Sequence, residues 1–159
     1  MANISFEALS SESEKSSRKI FGPVIAFLTI LFGLIYFWEG IYALIRAWQV
    51  PEYSHGPLIP LLSGLLFLRH LKEVPVVEGR ISDRWPGVVI LLAALLLGAL
   101  GKFAQIADVV AYALIGFIGG IILVSFGWRR GLPFWPSVLH LCFMLPLPAT
   151  LYWKLSTFL

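Results

Sequence analysis

Apolar and polar positions along this chain fall into long blocks. Residues 20–48, 57–71, 85–101, 109–128 and 132–153 are mostly apolar, although Glu39 and Arg46 interrupt the first block and Arg69 the second. Most of the charged residues gather before the first block and in the short stretches between blocks. A hydrocarbon core of about 30 Å needs roughly 20 helical residues. By that measure the fourth block fits, the third is a little short and the second is distinctly short. Backbone in lipid must satisfy its own hydrogen bonds, so each block predicts a helix rather than an isolated strand. The pattern therefore predicts an all-α, polytopic membrane helix bundle of about five transmembrane helices. Residues 20–159 form its transmembrane domain, and residues 1–19 form a polar, serine-rich tail.

Lys15, Arg18 and Lys19 precede the first apolar block, as they would in a signal peptide. The block is too long for such a peptide, and no small-x-small cleavage site follows it. The expectation is an uncleaved first span.

Composition excludes a soluble enzyme. The chain is 58% hydrophobic and 13% charged, whereas a soluble domain carries about 25% charged residues. The net charge of +3 does not point to nucleic acid, because the basic residues lie mostly between apolar blocks, where they set orientation and touch anionic lipid. With the N-terminus in the cytoplasm, Lys15, Arg18, Lys19, Arg69, Lys72, Arg80, Arg84, Arg129 and Arg130 fall inside. Arg46, Lys102 and Lys154 fall outside. This bias would vanish if residues 57–71 were a re-entrant hairpin, so that block is expected to cross. A single cysteine excludes an internal disulfide framework. Neither a metal nor a cofactor is expected.

The polar hinge Glu52-Tyr53-Ser54-His55-Gly56-Pro57 is the best candidate for chemistry. The helix after it spans only about 22 Å at 1.5 Å per residue, so the hinge is expected at or just below the outer interface. His55, Ser54, Tyr53 and Gly56 are the candidate contacts. Pro57 and Pro60 suit a first helical turn, where a missing N–H costs nothing. The alternative reading is ordinary turn chemistry, with Tyr53 and Ser54 as interface anchors. Glu39 either lines the same outer cavity as His55 or is a shallow interfacial residue, with Trp38 and Trp48 as belt anchors.

Gly116-x-x-x-Gly120, with Gly119 and Gly127, and Ala94-x-x-x-Gly98 predict close helix packing. Asp108 is expected to cap a helix. Pro133, Pro136, Pro146 and Pro148 break the fifth block, and broken membrane helices sit inside protein or line a cavity. That pattern also admits a transporter module.

The run Tyr53-Ser54-His55-Gly56-Pro57-Leu58-Ile59-Pro60, through Leu68-Arg69, resembles a motif of the exosortase family, multi-pass bacterial membrane proteins similar in role to the sortases. Phe143-Met144-Leu145-Pro146-Leu147-Pro148, with the stretch to Leu155, resembles the family's apolar segment with a Pro-x-Pro break. The resemblance implies a cysteine transpeptidase or protease at the outer face of the bacterial inner membrane. Its substrates would be exported proteins whose C-terminal sorting signal joins a short motif of the PEP-CTERM type, a membrane helix and a basic tail. The residues around His55 hint at the exosortase D subtype, whose substrates carry a motif beginning Val-Pro-Glu.

The family's cysteine, arginine and histidine would fall beyond Leu159. This chain is then expected to be an N-terminal part, inactive alone. Cys142 is expected to be a small buried apolar residue. It cannot pair with His140 two positions away, because the two lie about 200° apart around a helix. A non-catalytic subunit or degenerate homologue that binds sorting signals without cleaving them is the alternative.

Overall fold

The computed structural model describes residues 24–73, 81–146 and 157–158. The polar tail 1–19, Arg80, Pro148 and Lys154 lie outside them. Its fold is an all-α membrane helical bundle. The chain divides into two units, Met1–Tyr36 and Phe37–Leu159. The described part of the first is α1, Val24–Tyr36, where Thr29 Oγ donates to the carbonyl of Ile25 at 2.8 Å and Phe32 stacks on Tyr36.

The second unit is built on a helical hairpin. α4 (Trp85–Phe103) and α5 (Ala107–Phe126) are both long and apolar enough to cross a membrane. Pro86 sits in the first turn of α4, where its missing N–H is harmless. The buried positions of α4 are Gly87, Ala94, Gly98 and Gly101, a stripe of small residues. Leu92, Leu96 and Leu100 form an exposed row, as suits a face turned to lipid. The small stripe lets backbone meet backbone: a Cβ on Gly120 of α5 would lie 2.9 Å from the Cα of Leu91. The expected Gly116-x-x-x-Gly120 face does turn to α4, and Gly116 meets Ala94. The hairpin closes through a C-cap in which the Ile106 N–H donates to Gly101 and the Gln105 N–H to Lys102. Gln105 adopts a φ of 56° to make it. Asp108 does not cap α5, contrary to expectation: Ile106 holds the cap position without a side-chain bond, and Asp108 lies in the first turn. There its charge still favours the positive end of the helix.

The first expected span is two helices rather than one. α2 (Trp38–Ala47) starts afresh after Phe37, and α1 and α2 together would make a third candidate span. Phe37 is fully buried and packs on Phe117 at 5.2 Å between ring centroids. Gly40 brings α2 onto α5 so closely that a Cβ would lie 2.7 Å from the Ala111 nitrogen.

α3 (Leu58–Glu73) has 16 residues, about 24 Å of helix, so it is as short as its sequence suggests. Its far end packs through Phe67 against Phe134 and Phe126.

The described part of the fifth block, with the turn of helix that precedes it, is a succession of short elements. α6 (Trp128–Gly131) leads into a 3-10 turn, then α7 (Trp135–His140), then a second 3-10 turn, Leu141–Met144. Pro133 and Pro136 each occupy the start of a new element, which is where proline is tolerated. Leu145 then turns extended, with φ −84° and ψ 138°, as the residue before a proline should.

Candidate functional site

The candidate hinge is a ladder of tight turns between α2 and α3. Pro51–Tyr53 forms a 3-10 turn opened by its proline. Gly56 N–H then donates to Tyr53 at 2.9 Å, and Leu58 N–H to His55 at 3.0 Å, which leads directly into α3. His55 and Ser54 are exposed, and Tyr53 is half-buried. No side chain hydrogen-bonds to any of the three among the described residues.

Gly56 is buried against Trp48. A Cβ there would lie 2.0 Å from the indole Cδ1, so only glycine lets the ring sit flat under the hinge. The same indole donates its Nε1–H to the carbonyl of Met144 at 3.1 Å. In a continuing helix that carbonyl would receive the N–H of residue 148, but residue 148 is proline and has none. Trp48 therefore supplies a donor the sequence withholds. Two residues on, the carbonyl of Pro146 accepts from the Tyr112 hydroxyl at 3.5 Å. Ile59, from the hinge motif, shares a buried cluster with Met144, Leu145, Leu141, Val138 and Leu44.

The hinge and the Met144–Pro146 segment, far apart in sequence, are thus one assembly. The family model for transmembrane exosortases matches residues 47–159, a range that opens one residue before Trp48 and contains both the hinge and Met144. The chain belongs to the transmembrane exosortase family. No curated protein and no solved structure matches it.

Within this exosortase the other expected site residues are placed as follows. Gly56, Pro57 and Pro60 lie in the hinge and the first turn of α3, and Pro146 lies at the break. Pro148 lies outside the described residues. Glu39 is exposed on α2, and no described contact joins it to His55. Cys142 is exposed rather than buried, because the Leu141–Met144 turn directs Leu141 and Met144 inward and leaves Cys142 and Phe143 facing out. Among the described residues Cys142 has no histidine partner: the nearby His140 is engaged through Nδ1 with Ser63 at 2.8 Å.

Sequence reasoning missed three residues here. The sequence position of Trp48 suggests an interface anchor, although an indole N–H beside a motif needs an acceptor when buried. Ser63 and His140 are polar residues within apolar blocks, and such residues at membrane depth are costly unless paired. That cost was the signal, but only the fold shows that they pair with each other.

Proposed function

We propose that this chain forms the signal-recognising end of an exosortase that processes C-terminal sorting signals of exported proteins, at the outer face of the bacterial inner membrane. The observation that carries the reading is the Trp48–Met144 hydrogen bond. It unites the two motif segments and leaves Tyr53, Ser54 and His55 unengaged by side chains beside them. Ser54 and Tyr53 offer hydroxyls to a substrate backbone, and His55 offers an imidazole to orient the substrate or a thiolate. Substrates with a Val-Pro-Glu motif are the subtype this reading favours.

The test is processing of a reporter that carries a sorting signal, in membranes containing the full gene product. His55→Ala should impair processing and leave insertion intact. Normal processing by that variant would remove His55 from the site.

A second reading is recognition without cleavage, which needs only the exposed hinge residues His55 and Ser54 and no nucleophile. Under that reading the reporter co-purifies with the chain and is not cut. A transporter module has less support, since the Met144 and Pro146 carbonyls it would offer to an ion already accept from Trp48 and Tyr112.

A further inference from the structure

A second polar group lies deeper on the same two elements. Ser63, on α3, is 4% exposed, and its Oγ meets His140 Nδ1 on α7 at 2.8 Å. Ser63 is seven residues past Gly56, and His140 is four before Met144. At helical rise, these place the pair about 6–10 Å below the Trp48–Met144 contact.

The bond can run either way, and the direction in which the Ser63 hydroxyl donates is the one that places the imidazole proton on Nε2. A serine hydroxyl has one proton to give, and the only partner of Ser63 Oγ among the described residues is His140 Nδ1. With Ser63 donating, Nδ1 of a neutral imidazole accepts and the proton resides on Nε2. His140 is half-buried, and no described residue accepts from Nε2. Three residues earlier, on the same side of α7, Ser137 is 3% exposed and its Oγ also lacks a partner among the described residues. Unmet polar groups at membrane depth are costly, so α7 holds polar atoms that call for a partner from outside this set.

We infer that His140, held by Ser63, donates its Nε2–H to a backbone carbonyl in the membrane segment of the substrate's sorting signal. This rests on the sorting-signal reading above. A peptide carbonyl is the acceptor suited to the place. A segment whose top lies at the hinge must pass the level of His140 as it enters the bilayer. Wherever that segment's backbone leaves regular helix, its carbonyls need donors that lipid does not supply. Ser63 acts through His140 and is a positioning residue. No bond is made or broken in this step.

The experiment is co-purification of a reporter ending in a Pro-Glu motif, a membrane helix and a basic tail, with the full gene product in detergent. The variants are His140→Phe, His140→Gln, Ser63→Ala and Trp48→Ala. His140→Phe should lower capture about tenfold, the loss of one hydrogen bond in a dry site. His140→Gln, which keeps a side-chain N–H, should stay within about threefold of wild type, and Ser63→Ala should fall between. A merely structural role for the ring would give the opposite order, since Phe fits an apolar bundle better than Gln. If His140→Phe fails to fold, the comparison of His140→Gln and Ser63→Ala with wild type carries the test: a loss from Gln as large as or larger than that from Ala overturns the inference. Full capture by His140→Phe, with Trp48→Ala impaired, overturns the inference and leaves the sorting-signal reading standing. Failure of the wild-type chain to capture the reporter removes both.

Discussion

Trp48 donates its indole N–H to the carbonyl of Met144 across 96 positions of sequence, and the ring it presents is the floor on which Gly56 rests. One side chain therefore does two jobs: it supplies the hydrogen bond that Pro148 denies to Met144, and it fixes the height of the hinge that carries His55. The two segments that resemble exosortase motifs are coupled through that ring.

Trp48→Phe keeps a flat ring and removes the donor. Met144 is buried, so its carbonyl would lose its partner at a cost of about 1–3 kcal/mol. Thermal unfolding in detergent should show a drop of several degrees, and reporter processing should fall with it. An unchanged midpoint would mean that water or another donor replaces the indole.

Gly56→Ala keeps the donor and removes the space. The new methyl would collide with the ring close to its attachment point, so the ring cannot swing aside at its far end alone. Overpacking of this kind costs about 1–3 kcal/mol. The variant should be less stable than wild type, and Gly56→Ala in a Trp48→Ala background should recover part of that loss. Absence of coupling in this double-mutant comparison would contradict the packing described.

The parts of the fold legible in the sequence were those set by local rules. α4 and α5 follow from uninterrupted apolar runs, the shortness of α3 from its length, and the restarts after residue 131 from Pro133 and Pro136. The break at Phe37 was not legible. No proline or glycine marks it, and a ring buried against Phe117 decides it. The hinge could be read as a site from its own residues, but its floor could not. Trp48 and Met144 meet only because α2, α3 and α7 pack together, and Ser63 with His140 is hidden for the same reason. Asp108 and Cys142 failed for a simpler reason: rotational position on a helix shifts by 100° per residue, and a small error in a boundary moves a side chain to another face.

Gln105 holds a left-handed conformation, φ 56°, to close the α4–α5 hairpin. A non-glycine residue pays about 1–2 kcal/mol there, partly offset by the extra chain entropy glycine loses on folding. Gln105→Gly should therefore stabilise the protein by roughly 0.5–1 kcal/mol, seen as a higher midpoint in the same thermal assay. A lower midpoint would show that the Gln105 side chain contributes more than its backbone costs.

His55 is exposed and its side chain bonds to nothing among the described residues, so its removal should be nearly silent for folding. His55→Ala is expected to change stability by less than about 0.5 kcal/mol while processing falls at least tenfold. A comparable loss of stability would reassign His55 to the scaffold.

The most direct test of the central claim is site-specific photo-crosslinking in membranes that contain the full gene product and a tailed reporter. A photoreactive residue is placed in turn at Ser54, at Phe143 and at Leu96, which lies midway along the exposed row of α4. Recognition at the joined hinge and break predicts crosslinks to the reporter's tail from positions 54 and 143 and none from 96. Equal labelling from all three positions, or labelling from 96 alone, would contradict it.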